Sequence, residues 1–190
     1  MVFAEELAKY KEKIGFETKQ REIPGFIKRY SEAFEASERD YDIPKELTAA
    51  VLGIESRFGM ITGKHYAFNV YVSMYVTDYR RDFALAQLEE LLKFTAKKEL
   101  DIYAFKSSYA GAIGPMQFLP WSLNRYFVGA DVSSMDDCIV SVANYLAHFK
   151  KVRGSLEKAV FAYNPSRLYA TTVLDLAEYA RETLEAGMSK

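Results

Sequence analysis

The amino-acid sequence predicts a mainly α-helical fold of about eight helices of ordinary length. Apolar residues recur every three or four positions through most of the chain, which is the spacing of one buried helical face. No segment shows the apolar–polar alternation of a half-buried strand. Because 190 residues suffice for one core, we expect a single domain over residues 1–190, with residues 1–41 as N-terminal helices that pack on it.

The first 41 residues predict two helices separated by a break. Residues 5–13 alternate charged with apolar positions, as a short surface helix does. The Ile23-Pro24-Gly25 step contains the two residue types that most weaken a helix, so we expect the chain to break there. A second helix is predicted over residues 26–41, with a stripe of Phe26, Ile27, Tyr30 and Phe34.

Residues 42–59 predict the helix around which the rest of the chain is organised. Pro44 suits its first turn, glycines follow its end, and its buried face is formed by Leu47, Ala50, Val51 and Ile54. Glu55 lies at the edge of that face, where burial should raise the pKa of its carboxyl and keep it protonated near neutral pH, as a general acid requires. The alternative is a glutamate paired with Arg57 or another neighbour, without a chemical role. The helix taken alone favours this alternative.

The remaining chain predicts more helices around one long loop. The Tyr79-Arg80-Arg81 step leads into a long helix, whose predicted inward stripe is Leu85, Leu88, Leu91, Leu92 and Thr95. Residues 107–120 contain two glycines and two prolines but few charges, which indicates a packed and functional loop. The last helices are predicted to begin near Ser134, near Ser155 and near Leu168.

Composition and charge argue against several kinds of partner. The net charge is −1 and the charges are interspersed, so no basic stripe is present that could bind nucleic acid. No apolar run is long enough to span a bilayer. Cys138 is the only cysteine, which rules out an internal disulfide, and His65 and His148 have no further ligands at metal-binding spacing. We expect no nucleic acid, no metal, no cofactor and no transmembrane segment, and a monomer.

Three separated motifs coincide in this chain. They read G-I-E-S-R-F-G at residues 53–59, S-Y-A-G-A-I-G-P-M-Q-F at residues 108–118 and A-Y-N-P-S at residues 162–166. In this order they resemble the lytic murein transglycosylases of the lysozyme-like superfamily, and most closely the membrane-bound family-B type. The likeness runs from about residue 42 to about residue 180. It implies a lysozyme-like lytic transglycosylase fold with the helices around a substrate groove.

The resemblance implies cleavage of the β-1,4 bond between N-acetylmuramic acid (MurNAc) and N-acetylglucosamine (GlcNAc) in peptidoglycan glycan strands. Glu55 would protonate the glycosidic oxygen and then, as a base, take the proton of the MurNAc C6 hydroxyl, which gives a 1,6-anhydroMurNAc end without water. Ordinary glycosidases use two carboxylates, and the motifs contain no second one, which suits a route assisted by the 2-acetamido group. Asp78 and Asp101 remain open as carboxylates that approach from loops. A lysozyme-type hydrolase that uses water and a non-catalytic wall-binding domain are the alternatives.

The motif match also implies substrate-binding roles for Ser108, Gln117, Tyr145, Tyr163 and Asn164. Each of the polar candidates has a structural alternative: Ser108 as a turn residue, Gln117 as a satisfied loop amide and Asn164 as a helix cap. Function is the favoured interpretation for Gln117 and Tyr163. For Tyr145 a role in the groove and a role in the core are evenly balanced.

Two further expectations concern the location of the protein and calcium. The Val2-Phe3-Ala4 start is similar to the end of a signal peptide without its apolar stretch, so we expect an exported protein of the periplasm or cell envelope. Family-B members often carry an acidic calcium-binding loop, which residues 128–134 would replace here. This segment lacks the spaced acidic ligands and the closing glutamate, so we expect no calcium.

Overall fold

The computed structural model describes residues 2–188, and this part of the chain is mainly helical, as the sequence predicts. Its ten α-helices are α1 (Val2–Lys13), α2 (Phe16–Arg29), α3 (Ser31–Tyr41), α4 (Lys45–Ser56), α5 (Ala67–Val76), α6 (Arg81–Lys98), α7 (Pro120–Tyr126), α8 (Met135–Arg153), α9 (Leu156–Tyr163) and α10 (Arg167–Met188). A 3₁₀ turn spans Ile102–Ala104. The structure has more helices than the eight expected because the N-terminal region forms three helices instead of two. The short helix α7, which follows directly after the long loop, adds another.

Helix α4 is the centre of the core. All of its residues from Leu47 to Gly53 are buried, and α10, α2, α8 and α3 pack around it. Small residues allow this close packing: a Cβ built on Gly53 would lie 2.7 Å from the ring of Phe58. The buried face predicted for this helix is therefore confirmed at Leu47, Ala50 and Val51, and it extends around the whole helix.

The predicted break at Pro24 is wrong. Helix α2 runs through it from Phe16 to Arg29, and the chain instead turns at Gly15, whose backbone is left-handed with φ 68°. Ile23 and Phe26, on either side of the break, are buried on the same helical face. Their burial outweighs the cost of a proline inside the helix, which is about 3 kcal/mol.

The buried face of α6 also differs from the expected one. Leu91 and Thr95 are buried as predicted, whereas Leu85 and Leu92 are exposed. Helix α6 packs against both α5 and α7, so its buried positions lie on two sides of the helix and are completed by Ala84, Gln87 and Phe94.

A small β-sheet, which the sequence did not predict, holds the long loop in place. Strand β1 (His65–Tyr66) pairs antiparallel with β2 (Lys106–Ser107), and isolated bridges continue the pairing from Ser107 to Ile113 and from Ile113 to Phe118. Each strand has only two residues, which is too short for any alternation to show in the sequence. The sheet joins the segment after α4 to the loop that follows α6, and these two segments form the site.

Candidate active site

Glu55 is the second-last residue of α4, and the chain reverses immediately after it. Arg57, Phe58 and Gly59 all have left-handed backbones, with φ values of 48°, 57° and 84°. The reversal is closed by backbone hydrogen bonds from Arg57 N to Gly53 O and from Phe58 N to Leu52 O, each 3.1 Å. Two consecutive non-glycine residues in this conformation cost of order 1–3 kcal/mol each, and such strain concentrates at functional sites.

Side chains on both sides fix this reversal. The Arg57 guanidinium donates two hydrogen bonds to the carboxylate of Glu22 on α2, at 3.1 and 2.5 Å. This ion pair holds the pKa of Glu22 below its ordinary value. On the other side Gly59 N donates to the Ser56 hydroxyl at 2.9 Å. Arg57 therefore has a structural partner other than Glu55, and the Glu55 carboxyl remains available.

The Glu55 carboxyl has one side-chain hydrogen-bond partner in the described structure. The hydroxyl of Tyr169, on the first turns of α10, donates to Glu55 Oε1 at 2.6 Å, and Tyr169 itself is only 2% exposed. Burial raises the pKa of Glu55 from its ordinary value to about 7, and the Tyr169 hydroxyl offsets part of that rise because it stabilises the ionised form. Glu55 is thus half-protonated close to neutral pH, which is the state from which a general acid works best.

Glu55 opens onto a cleft of about 500 Å³. One wall is the segment 60–65 after α4, and the other is the long loop, which contributes Ser108, Tyr109 and Gln117. No carboxylate other than Glu55 lines the cleft in the part of the chain that the structure describes. Asp101 caps the 3₁₀ turn by accepting from Tyr103 N, and Asp78 is largely exposed beside Arg81, so neither reaches Glu55.

Gln117 is held in a strained conformation inside the tight turn between Ile113 and Phe118. Its backbone is left-handed, with φ 51°. Its side-chain amide nitrogen donates to Gly114 O at 2.9 Å and to Thr62 O at 3.4 Å. The amide oxygen accepts no hydrogen bond from residues 2–188, which leaves it free toward the cleft that the residue lines.

Ser108 lies in the same cleft but also has a local partner. Its hydroxyl accepts from Ala112 N at 3.2 Å, and its backbone N–H donates to Ala112 O at 2.9 Å. The turn role and the cleft position therefore coexist, since the hydroxyl proton can still be donated to a ligand.

The three C-terminal candidates do not line the cleft. Tyr163 donates to Met116 O at 2.5 Å, and burial, followed by the nearby Glu55 carboxylate, raises the pKa of its phenol. Tyr145 is 6% exposed and donates to Ala162 O at 2.9 Å. Asn164 caps the C-terminus of α9. The structure thus assembles Glu55, Ser108 and Gln117 at the cleft, and it places Tyr145 and Tyr163 in an aromatic layer that supports the loop.

A second pocket of about 880 Å³ adjoins the cleft and shares Lys64, His65 and Tyr109 with it. Its walls also carry the exposed side chains of Tyr66 and Tyr79. Together the two depressions form one extended groove. Exposed tyrosines can stack on sugar faces and bond their hydroxyls, so this lining suits a glycan.

Sequence reasoning missed Tyr169, the residue closest to the chemistry of Glu55. The likeness to the family runs to about residue 180 and so includes this tyrosine, but nothing in the spacing placed it beside an acid 114 positions earlier. The contact exists because α10 packs against α4. Only the packing of these two helices reveals it.

No calcium or other metal site is evident in residues 2–188, where no three acidic, histidine or cysteine side chains come together. The carboxylate of Asp137, in the first turn of α8, accepts from Ala130 N and Asp131 N of the segment 128–134, at 2.8 and 3.0 Å. Asp131 accepts from both the N–H and the hydroxyl of Ser133. Both carboxylates are thus engaged by the segment itself, and the expectation that it binds no calcium stays a prediction.

Three solved lytic transglycosylases share this helical fold. The Escherichia coli lytic transglycosylase SLT35, solved in complex with bulgecin A, matches with a TM-score of 0.84 and 19% identity over 93% of this chain and 78% of that one. Soluble lytic transglycosylase SltB1 from Pseudomonas aeruginosa matches with a TM-score of 0.83, at 21% identity, over 93% and 83%. SltB3 from the same organism, in complex with NAG-anhNAM-pentapeptide, matches with a TM-score of 0.84, at 19% identity, over 92% and 66%.

The chain belongs to the transglycosylase SLT domain family, whose model matches residues 2–156. It is also 29% identical over 136 residues to the membrane-bound lytic murein transglycosylase B of Escherichia coli K12. That match covers 68% of this chain and 38% of the relative, so the chain spans well under half of that protein. None of the helices within residues 2–188 is long and apolar enough to cross a membrane.

Proposed function

We propose that this chain cleaves the MurNAc–GlcNAc β-1,4 bond of peptidoglycan and leaves a 1,6-anhydroMurNAc end. The observation that carries the proposal is the Glu55 carboxyl, which has a pKa of about 7 and is the one carboxylate on the described cleft. A single acid that is readily protonated and readily ionised can serve both halves of such a reaction. The family membership and the murein substrate in the name of the relative point the same way.

The first step transfers the proton of the Glu55 carboxyl to the glycosidic oxygen. The bond from MurNAc C1 to that oxygen breaks, and GlcNAc leaves with a free 4-hydroxyl. The carbonyl oxygen of the MurNAc 2-acetamido group bonds to C1 in its place, so no second protein carboxylate is required. Tyr169 keeps the carboxyl oriented and stabilises the carboxylate that this step produces.

In the second step the Glu55 carboxylate removes the proton of the MurNAc C6 hydroxyl. The C6 oxygen bonds to C1 and the acetamido oxygen leaves it, which closes the 1,6-anhydro ring and restores the protonated acid. Both steps need the sugar substituents to be held close to C1, since positioning supplies much of the rate of such reactions. The free amide oxygen of Gln117 is suited to accept from the acetamido N–H or from the C6 hydroxyl, and the Ser108 hydroxyl from the same loop is suited to donate to the sugar.

The remaining candidates act through the loop. Tyr163 fixes the carbonyl of Met116, the residue before Gln117, and Tyr145 packs against Tyr163. Asn164 caps the C-terminus of α9 directly after Tyr163. We assign these three residues to holding the groove in shape, with sugar contacts left to Ser108 and Gln117.

We also propose that residues 1–190 act as a single catalytic domain on glycan strands, as a monomer, in the periplasm or cell envelope. The net charge of −1 argues against a nucleic-acid role. The murein named in the relative is a polymer of the cell wall, which suits an envelope location.

The test is incubation of the purified chain with purified peptidoglycan, followed by mass spectrometry of the products. We expect fragments that end in 1,6-anhydroMurNAc, and none from the Glu55→Gln variant. Fragments with reducing MurNAc ends would instead identify a lysozyme-type hydrolase. Binding without any product would identify a non-catalytic wall-binding domain.

A further inference from the structure

The segment that follows α4 presents two large apolar side chains to solvent at the cleft. Met60 is 68% exposed and Ile61 is 64% exposed, and both line the same cleft as Glu55. Single exposed apolar side chains are ordinary, but adjoining ones in a groove often mark a ligand-binding surface. We call Met60 and Ile61 together the apolar wall.

Backbone hydrogen bonds fix the apolar wall directly beside the candidate acid. Ile61 N donates at 2.8 Å to the carbonyl oxygen of Ser56, which is the residue after Glu55. Met60 N donates to Arg57 O at 3.2 Å. The two residues are therefore bonded to the same chain reversal that ends α4, one step along the chain from the carboxyl.

The other end of this segment is held by the long loop. A Cβ built on Gly63 would lie only 2.1 Å from Ser107 O, so the two backbones are in direct contact. The side-chain amide of Gln117 also donates to Thr62 O at 3.4 Å. Because the segment is anchored on both sides, the apolar wall is a constrained part of the cleft and not a loose loop tip.

The two sides of the cleft offer a bound molecule opposite chemistry. The loop contributes Ser108, Tyr109 and Gln117, which carry hydroxyl and amide groups. The side chains of the apolar wall carry no donor, and their one acceptor is the weakly accepting sulfur of Met60. An ordered water molecule needs two to four polar partners, so these two side chains provide a poor place for one.

We propose that the apolar wall determines the product of the reaction by keeping water away from MurNAc C1. The inference rests on the proposed function, in which the acetamido oxygen is bonded to C1 after the first step. If water entered, its oxygen would bond to C1, the acetamido oxygen would leave and the Glu55 carboxylate would take a proton of the water. That route ends in reducing MurNAc. Exclusion of water protects the intermediate from it and leaves C1 to the C6 hydroxyl.

The test places polar groups on the apolar wall and measures the ratio of the two products. The purified chain cleaves purified peptidoglycan in water enriched in heavy oxygen, the products are reduced at once with borohydride, and mass spectrometry counts anhydro and labelled MurNAc ends. Only attack by water brings the label to C1. In the double variant Met60→Gln, Ile61→Thr we expect the ratio of labelled to anhydro ends to rise about tenfold over wild type, the order of effect of one hydrogen bond to a water molecule.

Matched variants separate the exclusion of water from other effects of substitution. Met60→Leu with Ile61→Val keeps both side chains apolar and should keep the wild-type ratio. Val152→Thr adds a hydroxyl at another exposed β-branched residue, which is 62% exposed on α8 and does not line the cleft, and it should keep that ratio as well. The single variants Met60→Gln and Ile61→Thr, measured in the same way, cover the case in which the double variant does not fold.

The product ratios also distinguish this inference from the proposed function. If wild type and the polar variants form anhydro ends in the same ratio, the apolar wall does not exclude water and the proposed function stands. A higher KM with that unchanged ratio would show that the two side chains only contact the sugar, which also overturns the inference. Wild-type products that all carry labelled, reducing ends would refute the proposed function, and the exclusion of water with it.

Discussion

The two sides of the Glu55 carboxyl are built in different ways. On the α10 side the partner is Tyr169, which is buried, helical and bonded at 2.6 Å. On the cleft side Gln117 lines the same cleft as Glu55; this residue is partly exposed, strained in its backbone and left with a free amide oxygen. Under the proposed function, the rigid helices would set the proton affinity of the acid and the constrained loop would orient the sugar.

The largest effect should come from removing the acid itself. Glu55→Gln keeps the shape of the side chain but cannot donate a proton, and general acid–base catalysis is worth roughly two to four orders of magnitude. We expect turnover of purified glycan strands to fall by at least that factor, while binding of the strands persists. Near-normal turnover would show that another group supplies the proton.

Removing the acid should also change stability, and only at high pH. The pKa of Glu55 in the folded state, about 7, lies above its ordinary value of 4.5, so the folded state binds this proton more tightly than the unfolded state does. Stability is therefore lost as pH rises from 4.5 through 7, by at most about 3 kcal/mol. Thermal unfolding should give Glu55→Gln and the wild type equal melting temperatures at pH 4, with the variant several degrees higher at pH 8. An equal difference at both pH values would contradict the assigned pKa.

Changes to Gln117 test the cleft side. In Gln117→Leu the positioning amide is lost together with its hydrogen bonds to Gly114 O and Thr62 O, so turnover should fall by about a hundredfold and the melting temperature by a few degrees. Gln117→Gly serves as the control because it loses the same amide but relieves the left-handed backbone. Both variants should be slow, and the glycine variant should be at least as stable as the leucine one. A destabilised Gln117→Leu with normal turnover per folded molecule would remove Gln117 from the site.

The smallest effect, and the most specific one, should come from Tyr169. In Tyr169→Phe the hydrogen bond that stabilises the ionised carboxyl is lost, so the pKa of Glu55 should rise above its wild-type value. Activity of a general acid falls as pH rises through its pKa, and the variant should move that fall to higher pH in a profile of kcat/KM. A shift to lower pH would show that Tyr169 acts mainly by excluding water.

The sequence predicted the parts of the site that local patterns determine. The end of α4, the position of Glu55 at the edge of its buried face and the packed loop around Gln117 all follow from helical spacing and from glycine and proline placement. The assignment of Tyr145 to the groove could not be settled in this way, because a groove tyrosine and a core tyrosine have the same helical spacing. The structure buries it against Tyr163 and Phe118.

The features that were missed depend on contacts between distant segments. Tyr169 reaches Glu55 only through the packing of α10 on α4. The sheet pairs two distant strands of only two residues each, with His65 opposite Ser107. At Pro24 the rule that proline and glycine break a helix predicted a break, and that prediction was wrong. Burial of Ile23 and Phe26 against the rest of the molecule outweighed the cost of a proline inside the helix.

The run of left-handed residues after Glu55 determines which substitutions this stretch can accept. Arg57, Phe58 and Gly59 occupy a backbone region that glycine and asparagine enter easily and that β-branched residues enter only at high cost. If codon 57 were randomised and the library selected for wall cleavage, glycine and asparagine should be recovered far more often than valine or isoleucine. Among residues that cannot form the ion pair of Arg57 with Glu22, tolerance at this codon would then follow the handedness of the backbone.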